Sequence, residues 1–219
     1  MDGYYDLVRQ EIAPLLPGHA GRILDVGCGA GATARWLKSL YPSATTIGIE
    51  GVGDLKSELA ANVDEAIIHD LNEEPPDVGA PDLILFLDVL EHLVDPAAVL
   101  SRFASRLAPG GAVIVSLPNV AHPSVVLPLA IKGQWTYADA GILDRTHLRF
   151  FTHKTAVELV EGAGFHIDAG LYSGLHGPKA RLFDRVTLGR LRPRMAKQFI
   201  MRGVRGQAGR PVWSAAAAT

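Results

Sequence analysis

The chain has 219 residues, of which 48% are apolar and 20% are charged, and this composition excludes an intrinsically disordered protein. No run of about 18 apolar residues is present, which excludes a transmembrane helix, and the N-terminus lacks a signal-peptide pattern. Cys28 is the only cysteine, so an internal disulfide and a cysteine-based zinc site are excluded, and a cytoplasmic location is expected.

The charge is unevenly distributed along the chain. Residues 1–178 hold 11 Lys and Arg against 22 Asp and Glu, whereas residues 179–219 hold 10 against one. A basic segment of this kind predicts an anionic partner, or a segment that folds back onto the acidic body.

The first predicted elements are a cap helix and an alternating series of strands and helices. Apolar side chains at Tyr4, Val8, Ile12 and Leu15 have helical spacing, which places the cap helix within residues 1–19. Because strands then alternate with helices, we expect a parallel sheet with helices on both faces. The strands are predicted at 22–26, 45–50, 66–69, 82–87 and 112–117, and the helices at 32–40, 55–61 and 97–107.

Residues 118–151 break this alternation and are predicted to form a lid insertion after the fifth strand. A helix capped by Thr152 and two strands at 165–171 and 198–202 complete a doubly wound, mostly parallel seven-stranded α/β sheet. The main domain therefore spans 20–176. A basic C-terminal segment with the final strand follows at 177–210, and residues 211–219 are predicted to be a disordered tail.

The strongest functional signal is the glycine-rich turn in residues 24–31, LDVGCGAG, between the first strand and the first helix. Such a turn lets the backbone approach a ligand closely. Gly27, Gly29 and Ala32 also satisfy the looser dinucleotide fingerprint. Asp25 favours a different ligand, because a carboxylate two residues before the first glycine would repel a pyrophosphate and suits a cation such as a sulfonium.

Two further carboxylates follow the next strands, Glu50 after the second and Asp70 after the third. The carboxyl ends of parallel strands meet at one edge of the sheet, where ligands of doubly wound folds bind. Glu50 is placed to bind ribose hydroxyls, and Asp70 to accept a hydrogen bond from an adenine amino group.

Taken in order, these segments and two later ones, 87–92 (LDVLEH) and 107–111 (LAPGG), resemble class I S-adenosylmethionine-dependent methyltransferases. The resemblance implies the Rossmann-like methyltransferase fold, S-adenosylmethionine as cofactor, and a cytoplasmic enzyme. The cofactor-binding residues that it implies are Asp25, Gly27, Cys28, Gly29, Glu50, Asp70, Leu71 and Asp88.

Residues 141–152, GILDRTHLRFFT, resemble a segment of bacterial methyltransferases that act in surface-polysaccharide and glycan biosynthesis. His147 is the candidate general base and His122 its rival, since imidazole titrates near neutral pH. The candidate substrate-binding residues are Tyr5, His92, Asp144, Arg145 and Arg149. The alternative interpretation is that Asp144, Arg145 and His147 only tie the loop to the sheet.

The sequence thus predicts methyl transfer to an oxygen or nitrogen of a small polar acceptor, such as a glycan precursor or a natural-product intermediate. The acceptor is anionic or lipid-linked in one version of this hypothesis, and a homodimer stays open. The sequence shows no convincing divalent-metal site, although scattered carboxylates near the acceptor pocket leave one open. The alternatives are a methyltransferase that acts on RNA or another polyanion, and a non-catalytic S-adenosylmethionine-binding protein. Asp25 argues against an NAD-dependent oxidoreductase.

Overall fold

The computed structural model describes residues 7–175, 185–206 and 210–216, and these form one eight-stranded sheet with helices packed on it. The strand order is β3-β2-β1-β4-β5-β7-β6-β8, and every strand except β7 runs in the same direction. The predicted doubly wound, mostly parallel sheet is confirmed, with one strand more than expected. The strands are β1 (Arg22–Val26), β2 (Thr45–Glu50), β3 (Glu65–Ile68), β4 (Leu83–Leu87), β5 (Ala112–Pro118), β6 (His166–Ser173), β7 (Gln198–Val204) and β8 (Val212–Ala215).

The described helices lie between the strands, as the alternating pattern predicts. They are α1 (Ala32–Leu40), α2 (Lys56–Asn62), α3 (Pro96–Ala104), α4 (Pro123–Lys132), α5 (His153–Gly162) and α6 (Arg192–Met195), with 3-10 helices at Gln10–Leu15, Gly53–Leu55 and Leu90–His92. Helix α4 lies inside the lid, where no helix was predicted. It begins with a proline at its first position and is capped by the His122 side chain, which accepts the backbone N–H of Ser124.

The sheet is buried on both faces, and β4 shows how its sequence achieves this. Leu83 and Leu85 belong to one apolar cluster, whereas Ile84 and Phe86 belong to the cluster on the other face. Alternate side chains of a strand point to opposite faces, so a strand covered on both sides must be apolar throughout. This requirement explains the continuous apolar runs from which the strands were predicted.

The C-terminal residues correct one prediction, because Val212–Ala215 forms strand β8 where a disordered tail was expected. β8 pairs in parallel with β6. The Trp213 ring stacks on Tyr172 with a centroid distance of 4.8 Å and covers Gly170, where an added Cβ would lie 2.5 Å from the indole. The sequence around Trp213 is rich in small residues, so one aromatic contact and the pairing with β6 decide its structure.

The N-terminal segment also differs from the prediction. Its helix is a short 3-10 helix at Gln10–Leu15 rather than a long amphipathic helix, and Tyr4 lies outside the described residues. Ile12 and Leu15 are buried as their spacing predicted.

The basic C-terminal segment is partly folded onto the body. Arg202 in β7 forms two hydrogen bonds, of 2.9 and 2.7 Å, with the carboxylate of Asp168 in β6. Arg205 donates a hydrogen bond to the carbonyl oxygen of Ala104 at the end of α3. In the part of the chain that the structure describes, no helix is long and apolar enough to cross a bilayer.

Candidate active site

The turn between β1 and α1 has a conformation that requires glycine. Gly27, Gly29 and Gly31 have φ of +68°, +57° and +82°, a region that L side chains rarely adopt. An added Cβ at Gly27 would lie 2.5 Å from a methyl carbon of Val89, the second residue after β4. The glycines therefore bring this turn against the segment after β4, at the carboxyl edge of the sheet.

Glu50 at the end of β2 holds the glycine turn in place. Its Oε2 accepts the backbone N–H of Gly29 at 2.8 Å, and its Oε1 accepts those of Gly51 and Val52 at 2.9 and 3.0 Å. A carboxylate has about four acceptor positions, so these three hydrogen bonds leave it with capacity for one more donor, such as a ribose hydroxyl.

Asp25 is a buried carboxylate whose Oδ2 has no hydrogen-bond partner. Burial raises the pKa of Asp25 to about 7; the Arg9 guanidinium opposes this rise, and the Glu50 carboxylate adds to it. A cationic ligand would stabilise the ionised form and compensate its loss of hydration. The unpartnered oxygen beside a glycine turn therefore fits a cofactor with a sulfonium and an ammonium group, as predicted from Asp25.

Asp88 follows β4 and forms an ion pair with Arg9, a buried residue that no sequence pattern indicated. Arg9 donates from Nη1 to Asp88 Oδ2 at 2.5 Å, and Ser116 donates to Asp88 Oδ1 at 2.9 Å. Gln198 also donates to Asp88 Oδ1. Asp88 itself has a φ of +59°, an uncommon conformation for a residue with a side chain. These contacts fix its carboxylate where the N-terminal segment, β4, β5 and β7 meet.

The remaining predicted cofactor residues differ in their exposure. Asp70 is exposed, and its Oδ1 accepts the backbone and side-chain N–H groups of Asn72, which lower the pKa of Asp70. Leu71 is buried. The Cys28 sulfur lies 2.8 Å from where a Cβ of Gly48 would be, so this side chain packs against β2. Burial raises the pKa of the Cys28 thiol, which keeps it protonated and unsuited to act as a nucleophile.

A cavity of about 560 Å³ opens beyond the carboxyl ends of β4 and β5. It is enclosed on one side by Asp88 and on the other by the lid, and it contains both polar and apolar side chains. Its lining residues are Asp88, Glu91, His92, Pro118, Ser124, Val125, Gly141, Ile142, Leu143, Asp144, His147, Ser173, Gly174, Lys197 and Gln198. Three predicted acceptor-site residues, His92, Asp144 and His147, are thus brought together.

His147 is held against the segment after β4 by the backbone of the lid. The N–H groups of Leu148 and Arg149 both donate to the carbonyl oxygen of Glu91, at 2.8 and 3.0 Å. The His147 ring is buried, its Nδ1 lies 3.1 Å from the carbonyl oxygen of Ile142, and its Nε2 lies 4.0 Å from Glu91 Oε1. Because a carbonyl only accepts, Nδ1 carries the proton and Nε2 keeps its lone pair. Burial lowers the pKa of His147.

The other predicted acceptor residues have structural contacts. Asp144 is buried and accepts hydrogen bonds from the backbone and hydroxyl of Thr146, and Arg145 pairs with Asp139 on the exposed surface of the lid. Arg149 donates to the carbonyl oxygen of Val94. His122 caps α4 and does not line the cavity. Tyr5 lies outside the described residues.

Two buried residues, Arg9 and Glu91, are parts of the site that the sequence did not indicate. Arg9 occupies an ordinary polar position before a helix, and its partner Asp88 is 79 residues away. Glu91 lies in the 87–92 segment that carries the family resemblance but was not among the predicted site residues, yet it is 1% exposed and its Oε2 has no hydrogen-bond partner. The adjacent His92 was predicted to contact the acceptor, and it lines the cavity beside Glu91.

Solved structures with the same fold include S-adenosylmethionine-dependent methyltransferases from Mesorhizobium loti and Archaeoglobus fulgidus. The first has a TM-score of 0.61 and 19% identity and covers 92% of this chain and 98% of its own. The second has a TM-score of 0.61 and 16% identity and covers 89% of this chain and 90% of its own. At these identities the likeness shows the fold alone.

Curated relatives match about three fifths of the chain. A trans-aconitate 2-methyltransferase of Methylobacterium nodulans is 32% identical over 144 residues, covering 62% of this chain and 54% of the relative. A ubiquinone biosynthesis O-methyltransferase of Xanthomonas campestris pv. campestris is 32% identical over 135 residues, covering 58% and 53%. The chain thus spans about half the length of these relatives. The family model described as "Methyltransferase domain" matches residues 2–169, and the chain therefore belongs to the S-adenosylmethionine-dependent methyltransferase family.

Proposed function

We propose that this chain transfers a methyl group from S-adenosylmethionine to an oxygen or nitrogen of a small polar acceptor. One observation supports this most directly: the lid cavity and the cofactor residues share one edge of the sheet. Asp88 lines the cavity and pairs with Arg9. The Arg9 guanidinium also lowers the pKa of Asp25, beside the glycine turn, through its positive charge. An acceptor in the cavity would therefore lie next to a cofactor bound at the turn.

The residues at the turn suit the two ends of the cofactor. Asp25 offers a buried negative charge to its cationic methionine portion, and Glu50 offers an acceptor to its ribose. Asp70 and Leu71 are assigned to the adenine end. When bound, the cofactor supplies a methyl group already activated by the sulfonium. The chain contributes by alignment of the two reactants and exclusion of water, which can lower a barrier by about 7–11 kcal/mol.

His147 is our candidate for the general base that removes the proton from the acceptor. It lines the cavity, and its Nε2 has a lone pair because Nδ1 is committed to the Ile142 carbonyl. A positioned general base contributes about 10²–10⁴-fold. His122 is the weaker candidate, since its Nδ1 caps α4.

We propose an anionic acceptor, either a glycan precursor or a natural-product intermediate. Lys197 lines the cavity and offers a cation, and one of the relatives is named for trans-aconitate, a carboxylate. Helix α4, which contributes Ser124 and Val125 to the cavity, exposes Leu127 and Ile131 to solvent. An exposed apolar helix beside the cavity would also suit an acceptor attached to a lipid.

Calorimetric titration with S-adenosylhomocysteine tests the cofactor assignment, and NAD is the control ligand. We expect S-adenosylhomocysteine to bind with micromolar affinity and NAD not to bind. The opposite result would mean that the glycine turn is a dinucleotide-binding turn. Turnover with sugar nucleotides and other anionic metabolites then tests the acceptor. His147→Ala should lower turnover and leave S-adenosylhomocysteine affinity unchanged, and unchanged turnover would remove His147 from the reaction.

A further inference from the structure

Three side chains at the base of the cavity bring potential metal ligands together. Glu91, His92 and His147 each offer one ligand atom, and these atoms all lie within 4.8 Å of one another. Bonds of about 2.1 Å to a metal ion place tetrahedral ligands roughly 3.4 Å apart, so side-chain movements of about 1 Å would close the site. Glu91 and His92 are adjacent in the chain, whereas the lid supplies His147 from 55 residues later.

Glu91 provides the independent evidence that this cluster binds a cation. Its side chain is 1% exposed, and its Oε2 is buried without a hydrogen-bond partner. A buried carboxylate oxygen without a donor costs free energy, and native structures usually pair such an atom. The Asp88 carboxylate further disfavours a negative charge on Glu91. A cation at Glu91 would compensate both effects.

Both histidines are already oriented as metal ligands usually are. Nδ1 of His147 is held by the carbonyl oxygen of Ile142 at 3.1 Å. Nδ1 of His92 lies 3.1 Å from the hydroxyl oxygen and 3.3 Å from the carbonyl oxygen of Thr146. A hydrogen bond from the Nδ1–H group to a carbonyl oxygen fixes the tautomer and leaves the lone pair of Nε2 free to bind a metal ion. Histidines that bind metals usually have such a hydrogen bond on their other ring nitrogen. The hydroxyl of Thr146 in turn donates to Asp144, which continues the chain of support.

We propose that Glu91, His92 and His147 bind one divalent first-row transition metal ion, such as Zn²⁺, Mn²⁺ or Fe²⁺, at the base of the acceptor cavity. Two imidazoles and one carboxylate are a ligand set for these ions, and three protein ligands leave positions open for a substrate. All three residues line the cavity, so the open positions are accessible to an acceptor.

The catalytic role of this ion rests on the proposed function. An acceptor hydroxyl bound to such an ion would have a lowered pKa and would release its proton to solvent. The resulting oxygen would attack the methyl carbon; the new O–C bond would form as the sulfonium S–C bond breaks and leaves a neutral thioether. In this arrangement His147 Nε2 is a ligand of the ion, and this role replaces the general-base role proposed above, because the proton does not pass to His147.

The test is Co²⁺ titration of the full chain after removal of metals with a chelator, followed by the visible absorption of bound Co²⁺. Glu91→Gln and His147→Ala are the test variants, and His19→Ala is the matched control because His19 is exposed at the amino end of β1. We expect one Co²⁺ per chain, binding at least about 10-fold weaker in both test variants, and an unchanged affinity in the control. Glu91→Gln keeps the shape of the side chain, so it tests the charge without a cavity.

S-adenosylhomocysteine titration of the same proteins separates the two proposals. If all of them bind S-adenosylhomocysteine and the unsubstituted chain binds no Co²⁺, or binds it equally in both test variants, the metal site is wrong and the proposed function stands. If Co²⁺ binds as expected but S-adenosylhomocysteine does not, the metal site stands and the proposed function is wrong. Retained S-adenosylhomocysteine binding also shows that each variant is folded.

Discussion

Arg9 and Asp88 form a partly buried ion pair in which Nη1 lies 2.5 Å from Oδ2, although 79 residues separate them in the chain. The same guanidinium donates to Gln198 at 3.2 Å and lies 3.4 Å from the Ser116 hydroxyl. The Arg9 side chain is 9% exposed, so water does little to screen these contacts. This pair joins the N-terminal segment to the sheet edge that carries the proposed cofactor and acceptor residues.

Replacement of this arginine is the first prediction. Arg9→Ala should lower the free energy of unfolding by about 2 kcal/mol, because it removes the cation from a partly buried carboxylate. It should also weaken S-adenosylhomocysteine binding, since the pKa of Asp25 rises further without Arg9. Urea denaturation and calorimetry measure the two effects. Arg35→Ala, which removes only an exposed hydrogen bond to Asn62, should change stability by less than about 0.5 kcal/mol. Equal effects of the two substitutions would contradict the role given to Arg9.

Asp25 should make the protein less stable as the pH rises from about 4 to about 7. Its pKa is raised from 3.8 to about 7 by burial, so between these values the folded state binds more protons than the unfolded state. Stability is then lost with rising pH, and the full cost is present above pH 7. Asp25→Asn cannot ionise, so it should be more stable than the unsubstituted chain above pH 7, by up to on the order of 4 kcal/mol.

The same substitution should weaken binding of S-adenosylmethionine, because its cationic end loses the carboxylate. Denaturation curves at pH 5 and pH 8 give the stability difference, and calorimetry gives the affinity. Asp139→Asn is the control, since the Asp139 side chain is 90% exposed. A stability difference between Asp25→Asn and the unsubstituted chain that is equal at both pH values would show that this carboxyl does not titrate as proposed.

Gly27→Ala tests the close approach of the glycine turn to Val89. The new methyl group would lie 2.5 Å from Val89 Cγ2 in a backbone with φ of +68°. We expect the free energy of unfolding to fall by about 2–4 kcal/mol, which is the sum of the backbone strain and the overpacking against Val89.

Two further variants separate the backbone strain from the overpacking. Gly110 also has a positive φ, +78°, but no neighbouring atom lies within 4 Å of an added Cβ, so Gly110→Ala should cost only the backbone strain of about 1–2 kcal/mol. Val89→Ala in the Gly27→Ala background should recover the overpacking part alone. Additive effects of the two substitutions would show that the side chains do not meet.

Trp213→Ala tests the packing of the C-terminal strand β8. The indole stacks on Tyr172 and lies 4.5 Å, between ring centroids, from His153. Its removal should lower the free energy of unfolding by about 2 kcal/mol, less than a fully buried tryptophan would because Trp213 is only half-buried. Val212→Ala, at a side chain that is 72% exposed, should have no measurable effect. Urea denaturation distinguishes the two, and equal midpoints would mean that β8 contributes nothing to stability.

Local sequence patterns determined most of the fold and placed the candidate cofactor residues at one edge of the sheet. Apolar runs such as that of β4 predict strands covered on both faces, and the turn after β1 requires glycine because of its φ values. Asp25 and Glu50 could be placed together because parallel strands end at one edge of a sheet. Each of these inferences depends on neighbouring residues and on one general property of parallel sheets.

Tertiary structure alone decided which distant side chains meet. Arg9 reaches Asp88, and His147 approaches Glu91, across 79 and 56 residues of chain, and no local pattern encodes either contact. Strand β8 forms because Trp213 packs on Tyr172 and because the strand pairs with β6, although the sequence of this segment is rich in small residues. Burial also depends on the whole fold: it raises the pKa of Asp25 and leaves Glu91 Oε2 without a partner, and both effects appear only when the chain removes these carboxylates from water.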